Sequence, residues 1–292
     1  MRIARSLLPN LLGILALASL QLAGAGCSSP SAVRRFASAS TAAGEKFSGI
    51  ADDLSGSCER REEYRLLVQW QSDLDSLDER TSEACAKYSR ASPRLVAAHR
   101  VLIRYLEALS RLSAGDLVVY DKPLDQLAGT LSRTDVFDED GVRAVKGISE
   151  VLMEAASGGW RRKQLGVFID KANPDIQALA AALRGIVGRD YEQLLDDEAE
   201  AARKFYLGKI KNHRDKEPLT AVLVYEKWRE EKDVIESRKD AARAYVKVLE
   251  KIAAGHQDLY DHRDELSSKE AKKLVMGNVA SIEELVKNVR DL

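Results

Sequence analysis

Aromatic residues are scarce in this chain, 6% of 292 residues. Any core must therefore be built mainly from Leu, Val, Ile and Ala. There are only six prolines, so little stands in the way of long helices. No excess of one charge exists: 45 Lys and Arg face 46 Asp and Glu. That balance gives no reason to expect a nucleic-acid partner. Beyond residue 26 no stretch is apolar enough to cross a bilayer. The chain also lacks a Gly-x-Ser-x-Gly elbow, a phosphate-cradling Gly loop, a His-Glu-x-x-His pair and a Cys-x-x-Cys-His haem motif. These absences nominate no catalytic residue and no cofactor, and the chain reads as a non-enzyme.

What is present is mixed charge, 31% of residues, on a background of Ala, Leu, Glu, Lys and Arg. Long, solvated helices have this composition. The expected fold is all-α, an elongated antiparallel helical bundle of two long-helix hairpins plus shorter helices. Apolar or small residues at Phe36, Ala39, Ala43, Phe47, Ile50, Leu54 and Cys58 recur every three or four positions, which predicts a helix over 33–70. A returning helix is predicted over 77–114, with Leu95, Ala98, Leu102, Leu106 and Leu109 facing inward. Ser92 and Pro93 should kink or restart it, and Gly115 should end it. Shorter helices follow over 123–132 and 139–157, the second stopped by Gly158 and Gly159. A brief one closes at Asn173 and Pro174. A long helix from Pro174 runs to the break "NHRDKEP", and one of similar length should end at Gly255. The last is capped by Ser267 or Ser268.

Cys58 and Cys85 form an even pair once Cys27 is set aside. A disulfide is the simplest reading, free buried thiols the other. On one straight helix they would stand about 40 Å apart, so a bridge requires a reversal near Gln71 and Ser72. The phrase "LSAGDLVVYD" at 112–121 returns as "IAAGHQDLYD" at 252–261. The same 140-residue shift lays Phe36, Ala43, Phe47 and Leu54 on Ile176, Leu183, Val187 and Leu194. An internal duplication with halves 32–158 and 160–292 is the reading, each half unable to bury its apolar stripe alone. In it both glycines end helices, Tyr120 and Tyr260 cover the bundle end, and Asp121 and Asp261 cap the helices that follow.

One cluster has metal-ligand chemistry. Asp258, His262 and Glu265 fall at spacings of four and three, with His256 just before them. Imidazole with carboxylate suits zinc, copper or iron, and a ligand-binding bundle is the alternative function. A solvated, charged helix start explains the same residues. His99 lies one residue off the apolar stripe of its helix and reads as packed or half-exposed. Trp70, Trp160 and Trp228 stand apart from one another and read as packing residues. "GGWRRKQLG" reads as a charged connection between halves, with membrane contact as its alternative.

The N-terminus carries the address. Arg2 and Arg5 precede an apolar run from Leu7 to Leu20, then small residues up to Cys27, the pattern of a secretory signal over 1–26. Gly24, Ala25, Gly26 and Cys27 resemble the cleavage site of bacterial lipoprotein precursors, in which the Cys is lipidated and becomes the mature N-terminus. Gly24 stands where that family usually carries Leu, so cleavage by an ordinary signal peptidase after Ala25 is the competing reading. The resemblance implies a lipid anchor on Cys27, a tether over 27–31 and an envelope location. Ser28 after the Cys implies the outer membrane, facing the periplasm. Without Arg2 and Arg5 the net charge moves from −1 to −3. The expected role is an envelope-anchored, non-enzymatic component that binds another envelope protein or itself.

Overall fold

The computed structural model describes residues 30–45, 47–69, 76–119 and 138–288, and every regular element among them is helical. Two short segments, α1 (Ser31–Gly44) and α2 (Phe47–Gln69), lead outward, and α3 (Leu77–Ala114) returns along both. The order of opposed pairs fixes the antiparallel sense. Gly44 meets His99, Ala51 meets Ser92, and Ser55 meets Ser89. Next come α4 (Glu139–Ser157) and a second outward path, α5 (Leu165–Gly185), a π turn (Ile186–Tyr191) and α6 (Glu192–His213). The longest helix, α7 (Pro218–Asp261), returns along that path, and α8 (Lys269–Asn288) finishes against α7 and α1. The α2 helix lies beside α6, while α4 packs on α5 and α3.

The inward stripes read from the sequence are buried: Leu95, Ala98, Leu102, Leu106 and Leu109 on α3, and Ile176, Leu179, Leu183, Val187 and Leu194 on the second outward path. They join Phe36, Phe168, Leu249 and Ile252 in one continuous core. At roughly 1.5–3 kcal/mol for each large apolar side chain removed from water, this core supplies the driving force for the bundle. Cys58 and Cys85 are at disulfide distance, with Cα atoms 5.8 Å apart on α2 and α3. The reversal expected near Gln71 and Ser72, the helix over 123–132, Trp70 and the pair Tyr120 and Asp121 lie outside the described residues.

Several local expectations give way to packing. The helix expected over 33–70 is two helices. Where α1 ends, His99 holds the Gly44 carbonyl at 2.9 Å, and a Cβ at Gly44 would collide with Ile103. Neither proline ends a helix. Pro93 lies inside α3, where Ser92 sends its hydroxyl across to the Ala51 carbonyl instead of capping a restart. Pro174 lies inside α5, where buried Asn173 bonds His256 and Gln257 and holds the segment against α7. Gly115 does end α3, in the left-handed region at φ 94°. Gly255 does not end α7. It is a contact glycine, because a Cβ there would collide with the Phe36 ring, and the helix runs six residues further, to Asp261. Asp261 caps no following helix; it accepts from Gln257 one turn back in α7. Ser268 accepts from the Ala271 amide at 3.1 Å and caps α8. Of the span 27–31 expected as a tether, Pro30 is buried and Ser31 already belongs to α1, while 27–29 lie outside the described residues.

Along the outward paths the 140-residue shift is also a physical register. In these parallel neighbours Asp53 meets Tyr191, Ser57 meets Glu198, and Tyr64 meets Phe205 and Tyr206. The returning helices do not share this register. Carried 140 residues along, the Ala51 and Ser92 pair would set Tyr191 opposite Lys232, whereas neighbouring Glu192 faces Arg243. That is a displacement of about three turns.

Candidate functional site

The most concentrated polar chemistry lies where α2, α6 and α7 meet. Glu198, fully buried on α6, accepts from the Ser57 hydroxyl at 2.6 Å and from Arg60 Nε at 2.7 Å. It also accepts from both terminal nitrogens of Arg238, at 3.0 and 3.1 Å. Beside it, Asp53 accepts from Arg60 at 2.6 Å, from Arg238 at 3.3 Å and from the Tyr191 hydroxyl. Tyr191 belongs to the π turn, which aims its ring at Asp53. Burial works against the charge of Arg60, but the hydrogen bonds and charges of Glu198 and Asp53 outweigh it and raise its pKa above the ordinary value. Burial and then the Asp53 charge push the Tyr191 hydroxyl upward. Glu231 adds a third carboxylate 3.8 Å from Arg238, and Glu198 takes two donors on each of its oxygens. A carboxylate so saturated has no lone pair free to act as a base.

Two buried histidine–tyrosine pairs flank the bundle centre. The Gly44 carbonyl can only accept, so His99 Nε2 carries the hydrogen and Nδ1 accepts from the Tyr245 hydroxyl at 2.7 Å. His256 Nδ1 donates to Asn173 Oδ1 at 2.8 Å, leaving Nε2 to accept from the Tyr105 hydroxyl at 2.6 Å. The Tyr105 ring stacks on Phe168 at 4.8 Å. Desolvation lowers the pKa of His99 to about 4 and that of His256 to about 3, so both rings are neutral. His99 is therefore a satisfied core residue rather than a half-exposed one.

The four candidate metal ligands are not brought together. His256 points into the core at 0% exposure. Because α7 ends at Asp261, His262 and Glu265 lie beyond it and share no helical face with Asp258. His262 Nδ1 donates to the Asp258 carbonyl at 2.9 Å, and the Asp258 carboxylate accepts from Asn278 at 2.7 Å. Glu265 is exposed in the connection to α8. Among the described residues no group of three or more His, Cys, Asp or Glu is placed to hold a metal ion. Cys27 lies outside the described residues.

Two surface features complete the inventory. A cleft of about 790 Å³ opens beside the π turn, walled by Leu54, Tyr88 and Ile186, with Lys87, Arg189 and Asp190 at its edge. At the far end of the α6–α7 pair, Leu219, Val222, Leu223 and Tyr225 are 72%, 53%, 58% and 52% exposed. Trp160 and Trp228 are partly buried against the core, as packing residues.

Sequence reasoning missed the ionic cluster because its members sit on different helices within runs of mixed charge. One signal was present. Glu198 falls between Leu194 and Ala202, and Arg238 between Ile235 and Ala242, so each interrupts a buried apolar stripe at helical spacing. A charge on such a stripe needs a partner across the core. Comparison with protein-family models, curated proteins and solved structures found no match.

Proposed function

We propose that this chain is an envelope-anchored, non-enzymatic lipoprotein that presents a helical interaction surface to another envelope protein or to a second copy of itself. The observation that carries the reading is the exposed apolar cluster at Leu219, Val222, Leu223 and Tyr225. Leu219, Val222 and Leu223 follow an i, i+3, i+4 pattern on the first turns of α7, the arrangement with which a helix docks on a partner. Scattered apolar residues are normal on a surface, but a group at one tip is what an interface leaves uncovered. The 44 residues of α7 place this tip about 65 Å from Asp261. The polar groups best suited to chemistry, Glu198, His99 and His256, are turned inward and spoken for, which suits a structural role. Attachment through Cys27 rests on the signal and cleavage-site residues at the N-terminus.

Cross-linking in intact cells followed by mass spectrometry tests this reading, with Cys27→Ser and Leu219→Lys/Leu223→Lys forms run in parallel. The expected result is cross-links to one envelope protein or to the chain itself, lost in the tip variant and reduced in Cys27→Ser. Cross-links unchanged by both variants would overturn it.

A further inference from the structure

We infer that the end of the bundle around Pro30 is a membrane-facing surface that rests on phospholipid headgroups and holds the helices away from the bilayer. The inference builds on the lipid-anchor reading and adds an orientation to it. Pro30 is buried, and its carbonyl accepts the first helical hydrogen bond of α1, from the Arg34 amide at 3.2 Å. Only Ser28 and Ser29 separate it from Cys27. At full extension that span covers about 10 Å, so an acylated Cys27 keeps Pro30 close to the headgroups. The chain leaves little freedom in which end of the molecule meets the lipid.

The residues at that end suit the contact. Pro30 lies in a groove with Arg162, Lys163, Val167 and Arg263. Val167 is 47% exposed, and Leu117 and Val119, just past the end of α3, are 43% and 64% exposed. Acids are present too. Asp170 is engaged by Arg263 at 3.0 Å, Asp264 lies in the groove, and Asp116 follows Gly115. Arg161 and Arg162 spend part of their donor capacity on the Gly115 and Ala114 carbonyls at the end of α3. A guanidinium has five N–H donors, so both arginines keep N–H groups for phosphate oxygens, and exposed Lys163 adds a point charge beside them. Apolar side chains set among cations are the composition of surfaces that sit at the headgroup boundary. The "GGWRRKQLG" segment thus has two tasks, closing α3 and touching lipid.

The test places a photo-reactive benzophenone residue at Val167 in the full chain, with a second form carrying it at Leu223. Cells are irradiated, and phospholipid adducts and the mass of the N-terminal peptide are read on the same sample. The expected result is lipid adducts at position 167 and their loss at position 223. Adducts at 223 but not at 167, or at neither position, overturn the inference. The N-terminal peptide decides the anchor separately, because acyl chains on Cys27 with no adduct at 167 sink the orientation alone. An unacylated peptide sinks the anchor, while adducts at 167 would still retain the face. Both sites are exposed, so neither form is expected to disturb folding.

Discussion

Glu198 shows how a single side chain can be indispensable without being reactive. It anchors Ser57 and Arg60 on α2 and Arg238 on α7, from a position with no exposure. Glu198→Ala would leave two guanidiniums short of their partner, a loss of roughly 3–5 kcal/mol, measurable as a lower urea midpoint with an unchanged slope. The neutral isostere Glu198→Gln should lose less, because it keeps part of the hydrogen bonding. The two histidines make a separate prediction. Their folded pKa values, about 4 and about 3, lie below the ordinary value of 6.5. Between those values the unfolded chain binds more protons, so their contribution is complete above pH 6.5 and is lost as pH falls toward 4. With both titrating, stability should fall by up to about 2.7 kcal/mol per pH unit in that window. His256→Gln should roughly halve the slope in urea titrations repeated from pH 7 to pH 4. A slope untouched by the substitution would assign acid sensitivity elsewhere. The interrupted stripes at Glu198 and Arg238 were the one trace in the sequence; which residues pair was not legible, because hydrogen bonds between residues 40 to 151 positions apart leave no local pattern.

At the scale of the element, apolar periodicity was legible and interruptions were not. The stripes on α3 and α5 were readable because burial imposes a 3.6-residue period that no other structure produces. Pro93, Pro174 and Gly255 were misread as breaks because each is a local breaker that tertiary contact overrides. Gly255 and Gly115 occupy the same place in one repeated phrase, yet the first makes room for Phe36 and the second supplies a left-handed turn. Gly255→Ala should therefore cost about 1–3 kcal/mol through overpacking. Gly208→Ala, where an added Cβ meets nothing within 4 Å, should gain about 0.5–1 kcal/mol from helix propensity. Thermal melts of both variants check the pair, and equal effects would remove the Phe36 contact as the reason for the glycine. The Cys58 and Cys85 bridge ties α2 to α3 across 27 residues. Reducing it should cost on the order of 3 kcal/mol, seen as a lower melting temperature in dithiothreitol.

Across the whole molecule the fold class was legible, and so was the expectation that neither half buries its apolar stripe alone, but the side chains that join the halves were not. Composition gave long helices, and their number and length require a bundle. Yet a set of buried polar contacts joins residues on opposite sides of the 159–160 boundary. Ser57 and Arg60 meet Glu198, Tyr105 meets His256, and His99 meets Tyr245. Apolar packing crosses it as well: Phe36 fills the space left by Gly255, and α4 lies on α5. A fragment ending at residue 158 would expose the faces of α1, α2 and α3 that the second half covers; Arg60 and Asp53 would keep each other but lose Glu198, Arg238 and Tyr191, and Tyr105 would lose His256. The complementary fragment would keep the Glu198–Arg238 and His256–Asn173 pairs but lose Ser57, Arg60, Asp53 and Tyr105 from them. Each half alone is therefore expected to be unfolded or aggregated, with little cooperative melting by circular dichroism, and the intact chain to unfold in one transition. Co-expressed as separate chains, the halves should co-purify and recover helical content, because every contact named here is noncovalent. Independent, cooperative melting of either half would show that a single hairpin is enough, and that the ionic cluster joins two finished domains rather than completing one.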